Sequence, residues 1–114
     1  MALLRVARLP AEALAAAAQF HAEVVPEAHL LLDARPDCLT LVFAPDSHAH
    51  RGWRLAAIQS LAREYAPARV NALVTESEHA LAAALKFLEA APGVTGQLLE
   101  LDDTGAAEVL SSGA

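Results

Sequence analysis

Leu61-Ala62-Arg63-Glu64-Tyr65-Ala66-Pro67, followed at once by Arg69-Val70-Asn71-Ala72-Leu73-Val74, decides how this chain is to be read. Apolar residues at Leu55, Ile58, Leu61, Ala62 and Tyr65 recur at helical spacing, so Arg51 to Tyr65 is predicted to be an amphipathic helix, with Arg54, Gln59, Arg63 and Glu64 on its other side. Pro67 closes it, because proline lacks the N–H that a helix interior requires. Arg69 to Thr75 then supplies a strand. Helix passing directly into strand is the signature of a parallel sheet with crossover helices.

Working outward, the same alternation continues in both directions. Pro92-Gly93-Val94-Thr95-Gly96-Gln97-Leu98-Leu99-Glu100-Leu101-Asp102-Asp103 places a turn before a last strand, Gln97 to Leu101. Between the two strands, Glu76 to Ala91 is a helix capped by Ser77 or Thr75, with an apolar face of Leu81, Ala84, Leu85 and Leu88. On the N-terminal side, Cys38 to Ala44 is a short apolar run bounded by Asp37 and Pro45, which suits a strand covered on both faces. Ala11 to Val25 is rich in the best helix former, with Pro10 near its first turn and Glu12 at the positive end of its dipole. Pro26 interrupts or kinks that helix, and Ala28 to Leu32 continues it for a turn or two before Arg35-Pro36-Asp37. Leu3 to Arg8 is a first strand ended by Pro10. The expected fold class is therefore α/β: about four parallel strands in sequential order, helices on both faces, joined by right-handed crossovers.

The two quoted stretches resemble short-chain dehydrogenase/reductases. In that family a long helix ends in "RE-x-AP", the next strand begins "RVNAV", and a closing segment has the form "(I/V)TGQ-x-L-x-VDGG". The resemblance covers roughly the C-terminal half of the chain and implies a small three-layer half-Rossmann domain over residues 1–105, truncated relative to the family. Residues 106–114 are expected to form a frayed tail. The family's active-site helix opens with Tyr-x-x-x-Lys; counting back along the gap-free helix puts Ser47 and Arg51 at those positions. A serine hydroxyl is too weak an acid to replace a lysine-lowered phenol, and a guanidinium does not reproduce a compact ammonium. All five glycines lie at Gly52 or later, so no G-x-x-x-G-x-G phosphate loop is present. After Val74 the family's Pro-Gly is replaced by Thr75-Glu76, as if the substrate-covering loop were deleted. These departures imply a catalytically degenerate protein without a cofactor. Asn71 is assigned the structural role that the family's asparagine plays, tying neighbouring loops.

Composition narrows the function classes. The chain has 114 residues, 55% of them apolar, with a formal charge of −6 and only one Trp, one Tyr and three Phe. No basic stripe exists for phosphates, which argues against nucleic acid. No apolar stretch is long and uncharged enough to span a bilayer, and the Ala11–Ala18 run is too short. Cys38 is the single cysteine, so no internal disulfide forms and a cytoplasmic setting is expected.

The one site-like cluster is Asp46, Ser47, His48, His50 and Arg51, with Arg54 a turn further on, in the loop after the second strand. Loops beyond the carboxyl ends of parallel strands host ligands. Arg51 and Arg54 at a helix N-terminus would suit a small anionic metabolite or nucleotide fragment. Two imidazoles beside a carboxylate could also hold a metal, but a third ligand is missing; the plainer alternative is a solvated loop in which Asp46 or Ser47 caps the helix. Ser47 and His48 lack the glycines of a nucleophile elbow. His21, His29 and His79 stand isolated on helices, and Trp53 is a core or interface anchor.

A second inference concerns partners. Between Ala11 and Val25 the only ionic side chains are Glu12 and Glu23, so that helix has no broad charged face to turn to water. In the resembled family this helix and the next pack against a neighbouring subunit. The expected partner is a protein: a second copy, or a full-length short-chain dehydrogenase that this chain stabilises or regulates. Leu14, Ala17, Ala18, Phe20, His21, Trp53, Ala57, Ile58 and Leu61 are the expected contact residues.

Overall fold

A computed structural model of the chain describes residues 1–102. Four strands, β1 (Ala2–Arg5), β2 (Cys38–Phe43), β3 (Arg69–Val74) and β4 (Leu98–Glu100), form one sheet in the order β1-β2-β3-β4, with every neighbouring pair parallel. The helices are α1 (Ala13–Gln19), α2 (Val25–Asp33), α3 (Arg51–Glu64) and α4 (Glu78–Glu89). This is an α/β, Rossmann-like fold, as the alternation of elements predicts. The proposed domain limit at 105 and the tail at 106–114 lie outside the described residues.

Alternate side chains of the strands feed two cores, as the two-residue period of a strand demands. Leu4, Leu41, Ala72 and Leu98 are register partners across all four strands, and they pack with Phe20, Leu32, Ile58 and Leu61 of the helical layer. On the opposite face Val42, Leu73 and Leu99 are partners, covered by Leu81, Ala84 and Leu88 of α4. All six residues of β2 are buried, and all of β3 except Arg69, which explains why neither strand shows polar alternation.

Helices on both faces combined with sequential strand order have a topological consequence. Each crossover steps the same way across the sheet; the first two pass over one face and α4 passes over the other. The third crossover therefore has the opposite hand from the first two, and the expectation of uniformly right-handed connections is corrected. Under the right-handed preference of such units, the α4 connection is the exception. Its physical reason is coverage, since a third helix on the first face would leave Val42, Leu73 and Leu99 open to water.

Two guanidinium groups pin α4 in this position. Arg5 on β1 donates through Nη1 and Nη2 to the two carboxylate oxygens of Glu78, at 2.9 and 3.0 Å, in the forked geometry suited to a carboxylate. Arg69 at the start of β3 donates through Nη1 to the carbonyls of Leu88 and Ala91 at 2.9 and 3.0 Å, adding a charged donor to carbonyls that also accept the N–H groups of Ala91 and Val94. At the other terminus Ser77 Oγ accepts from the Ala80 N–H at 3.1 Å, and Thr75 Oγ1 accepts from the Ser77 N–H at 3.0 Å.

Pro26 does not break its helix. A π turn, Phe20–Val24, joins α1 to α2, and the Val25 N–H reaches back to the Phe20 carbonyl. The wider turn makes room for the proline ring, whose missing N–H falls in the first turn of α2. The chain thus stays helical from Ala13 to Asp33 apart from this one change of pitch.

The two stretches that carry the family resemblance bind each other. Val70 donates to Thr95 Oγ1 at 3.0 Å and accepts from Gly96 at 2.7 Å; Asn71 Nδ2 donates to the Val94 carbonyl at 3.0 Å and its Oδ1 accepts from Gln97 at 3.1 Å; Ala72 donates to the Gln97 carbonyl at 2.8 Å. Gly96 sits at φ +71°, a region L-residues avoid. Asn71 is buried, and its side chain is the tie between loops that the resemblance implies.

Replacing Asn71 with leucine leaves the Gln97 N–H and the Val94 carbonyl without their partners; urea unfolding should show a loss of about 2–4 kcal/mol. For Glu78, the hydrogen bonds from Arg5 and then its charge hold the carboxyl below its ordinary value. A depressed folded-state pKa gives stability that is present above the unfolded value and lost as pH falls through the folded one. Wild type and Glu78→Gln should therefore differ in melting temperature at pH 7 and converge on acidification below the carboxylate range.

Candidate functional site

The loop from Ala44 to Ala49 leaves the carboxyl end of β2 and is exposed throughout, followed by a 3₁₀ turn, His48–His50, that feeds α3. Asp46 and Ser47 do not cap a helix with their side chains. Asp46 Oδ1 instead accepts from the N–H of Ser47 at 2.7 Å, and Ser47 stands at the N-cap position with no side-chain bond.

His50 is buried, 1% exposed, and both ring nitrogens are engaged. Trp53 Nε1 lies 3.1 Å from Nδ1, and an indole N–H can only donate, so Nδ1 is the bare acceptor. Nε2 then carries the proton and donates to the Ala11 carbonyl at 2.9 Å. One imidazole thus ties the β1–α1 connection to the start of α3. Asp46 Oδ2 approaches Nε2 at 3.6 Å. His50 has no lone pair free for a metal, and among the described residues no group of three His, Cys, Asp or Glu side chains converges. Trp53 anchors the same corner, its ring 5.3 Å from Phe20 and 6.0 Å from Phe43.

Arg54 is the larger correction. Helical spacing puts it on the polar side, yet it is only 6% exposed, with its guanidinium 4.6 Å over the Phe43 ring and Nη1 donating to the Ala44 carbonyl at 3.1 Å. Nε is buried without a hydrogen-bond partner. Burial lowers its pKa, which the charges of Asp46 and Glu100 partly offset. Arg51 is partly exposed and faces Glu100 Oε1 at 3.7 Å. Asp46, Ser47, His48 and Arg51 thus stay at the surface while His50 and Arg54 are built into the fold. No hydrogen bond joins Ser47 to His48 among the described residues, so the pair forms no nucleophile–base unit.

The N-termini of α1 and α4 are already capped by side chains. Glu12 turns its carboxylate onto α1, accepting from Leu14 at 2.9 Å and Ala15 at 3.1 Å. α4 has Ser77, whereas α3 follows the 3₁₀ turn at His48–His50 and has no side-chain cap. The connection between β1 and α1, residues 6–12, contains no glycine where a phosphate cradle would need one. These residues do not fit a dinucleotide.

The expected contact residues divide in the same way. Phe20, Ala57, Ile58 and Leu61 point into this chain's own core and are removed from the surface, since the spacing that suits a subunit contact equally suits the sheet. Trp53 is half-buried against that core and Ala17 is half-buried. Leu14, Ala18 and His21 are exposed.

At the opposite end of the sheet lies a cluster that the sequence does not reveal. His29 is not isolated: its Nδ1 is hydrogen-bonded to the Tyr65 hydroxyl, which in turn donates to Asp33 Oδ1 at 3.4 Å. Burial, then the charges of Asp33 and Glu64, push the phenol pKa up, so it stays protonated. His29 and Asp33 are four residues apart on one helix face, but nothing local points to Tyr65, brought alongside by α3. Of the two corners, the loop end yields the sharper test. His50→Ala removes the acceptor of the Trp53 indole and should destabilise the fold by about 2 kcal/mol or more, with a shift in Trp53 emission that reports the lost contact.

A family model for short chain dehydrogenase-like proteins matches residues 4–101. No curated protein and no solved structure matches the chain. The match takes in the end of β1, the whole of β2, β3 and β4, and both interlocking stretches, and on that ground the chain belongs to the short chain dehydrogenase-like protein family.

Proposed function

We propose that this chain acts by associating with another polypeptide, a second copy of itself or a full-length short-chain dehydrogenase, and carries out no hydride transfer of its own. The supporting observation is the outer face of the α1–α2 rod. Leu14 is 80% exposed and Leu30 74% exposed, and between them Ala18, Ala22 and Pro26, also exposed, continue the same four-residue step. Large apolar side chains open to water in a row suit a protein contact better than solvent. Beside this row, α3 presents Gly52, Ala56 and Ser60 outward, small residues that let another helix approach closely. The resemblance implies that these two helices meet a neighbouring subunit.

Ser47 and Arg51, standing where the family has its tyrosine and lysine, support the non-catalytic half of the proposal. The competing anion-binding function at residues 46–51 is weakened by the burial of Arg54 and the turn of Arg51 toward Glu100, which leave that loop without an uncommitted guanidinium. No helix among the described residues is long and apolar enough to cross a membrane.

Sedimentation velocity at micromolar concentration should give a dimer, or a complex when a full-length relative is added. Leu14→Glu with Leu30→Glu should weaken it at least tenfold, about 1.4 kcal/mol. A monomer at every concentration, with no complex, contradicts the proposal, as does turnover of a carbonyl substrate with nicotinamide cofactor.

A further inference from the structure

α2 and α3 end at the same place, where β2 and β3 begin, and an open cleft of about 1110 Å³ lies there. Its walls include three carboxylates, Asp33, Asp37 and Glu64, and two guanidinium groups, Arg35 and Arg69. Arg69 is held on the carbonyls of Leu88 and Ala91, neutral groups that leave its charge in place. The last turn of α2 has no basic residue, and Arg63 in the last turn of α3 bonds to Ser60. Some terminal carbonyls are taken, Leu32 by the Arg35 N–H and Tyr65 by the Ala68 N–H, but the C-terminal end of a helix carries partial negative charge, so two helix ends add to the carboxylates.

A third helix end at the same wall already seats a guanidinium. There α4 receives the guanidinium of Arg69 on two carbonyls, 2.9 and 3.0 Å away. We propose that the cleft binds an organic cation, an alkylguanidinium or alkylammonium group from outside the chain, against the C-terminal ends of α2 and α3. Asp33 and Asp37 supply the counter-charge. Tyr65 offers its ring as a cation–π surface, and its hydroxyl is fixed between His29 and Asp33, neutral and oriented. Leu32, Pro36 and Pro67 give the alkyl stem an apolar wall. Arg35, exposed at φ +59° in the turn after α2, and Arg69 are the lining charges that oppose such a ligand.

This site lies at the far end of the sheet from residues 46–51 and does not depend on association. Its test is a backbone amide NMR titration at fixed ionic strength with two probes: agmatine, a free cation, and the end-blocked peptide Gly-Arg-Gly, with glutarate as anionic control. Saturable shifts confined to residues 33–37 and 64–69 are expected. Asp33→Asn with Asp37→Asn should weaken binding at least tenfold, and Arg35→Ala, which removes one of the two opposing charges, should tighten it. Tighter binding of agmatine marks a free amine as the source, and tighter binding of the peptide marks a partner's side chain. No saturable shift in these residues with either probe, equal shifts from glutarate, or affinities indifferent to both variants would overturn the proposal.

Discussion

Five hydrogen bonds between Val70-Asn71-Ala72 and Val94-Thr95-Gly96-Gln97 are the constraint on which the rest of this structure depends. They seat β4 beside β3 and fix where the chain returns after α4. With the return point fixed, α4 must cover whatever lies between, and the apolar face left open by the first three helices is the one it takes. Asn71 is the only member whose side chain supplies both a donor and an acceptor. No apolar residue at that position meets both loop groups at once.

The same economy governs the loop end of the sheet. A folded chain must satisfy its buried backbone groups, and here the side chains that could have formed a site do that work. His50 holds the Ala11 carbonyl and the Trp53 indole, Arg54 holds the Ala44 carbonyl, and Glu12 caps α1. Ser47 and Arg51 remain, without the proton donor and compact cation of the family. What is left uncommitted is helical surface, in the row from Leu14 to Leu30.

Much of this was legible in the sequence, and the illegible parts share physical causes. The strand from Arg69 and the turn before Leu98 could be recognised because asparagine and glycine there serve backbone geometry that few other residues supply. Pro26 predicts an interruption or a kink; its form, a π turn, needs only one extra residue and leaves no mark in the apolar period. Helical periodicity assigns Arg54 to water because it is charged, whereas its planar head covers Phe43. Phe20, Ile58 and Leu61 were assigned to a partner because an apolar stripe does not say which side it buries. His29 and Tyr65 lie 36 residues apart, and only the pairing of two helices joins them. The opposite hand of the α4 crossover follows from which face is left bare, a property of the assembled sheet.

The central claim is the proposed association: the buried polar side chains at the loop end serve the fold's own cohesion, and the outer helical face meets the partner. Hydrogen–deuterium exchange followed across protein concentration, alone and with a full-length relative, tests it most directly. Amides of β2 and β3 should be protected at every concentration, while protection in residues 14–30 and 52–60 should rise as the complex forms. Exchange in those helices that ignores both concentration and partner, or added protection confined to the loop at residues 44–50, would contradict the account.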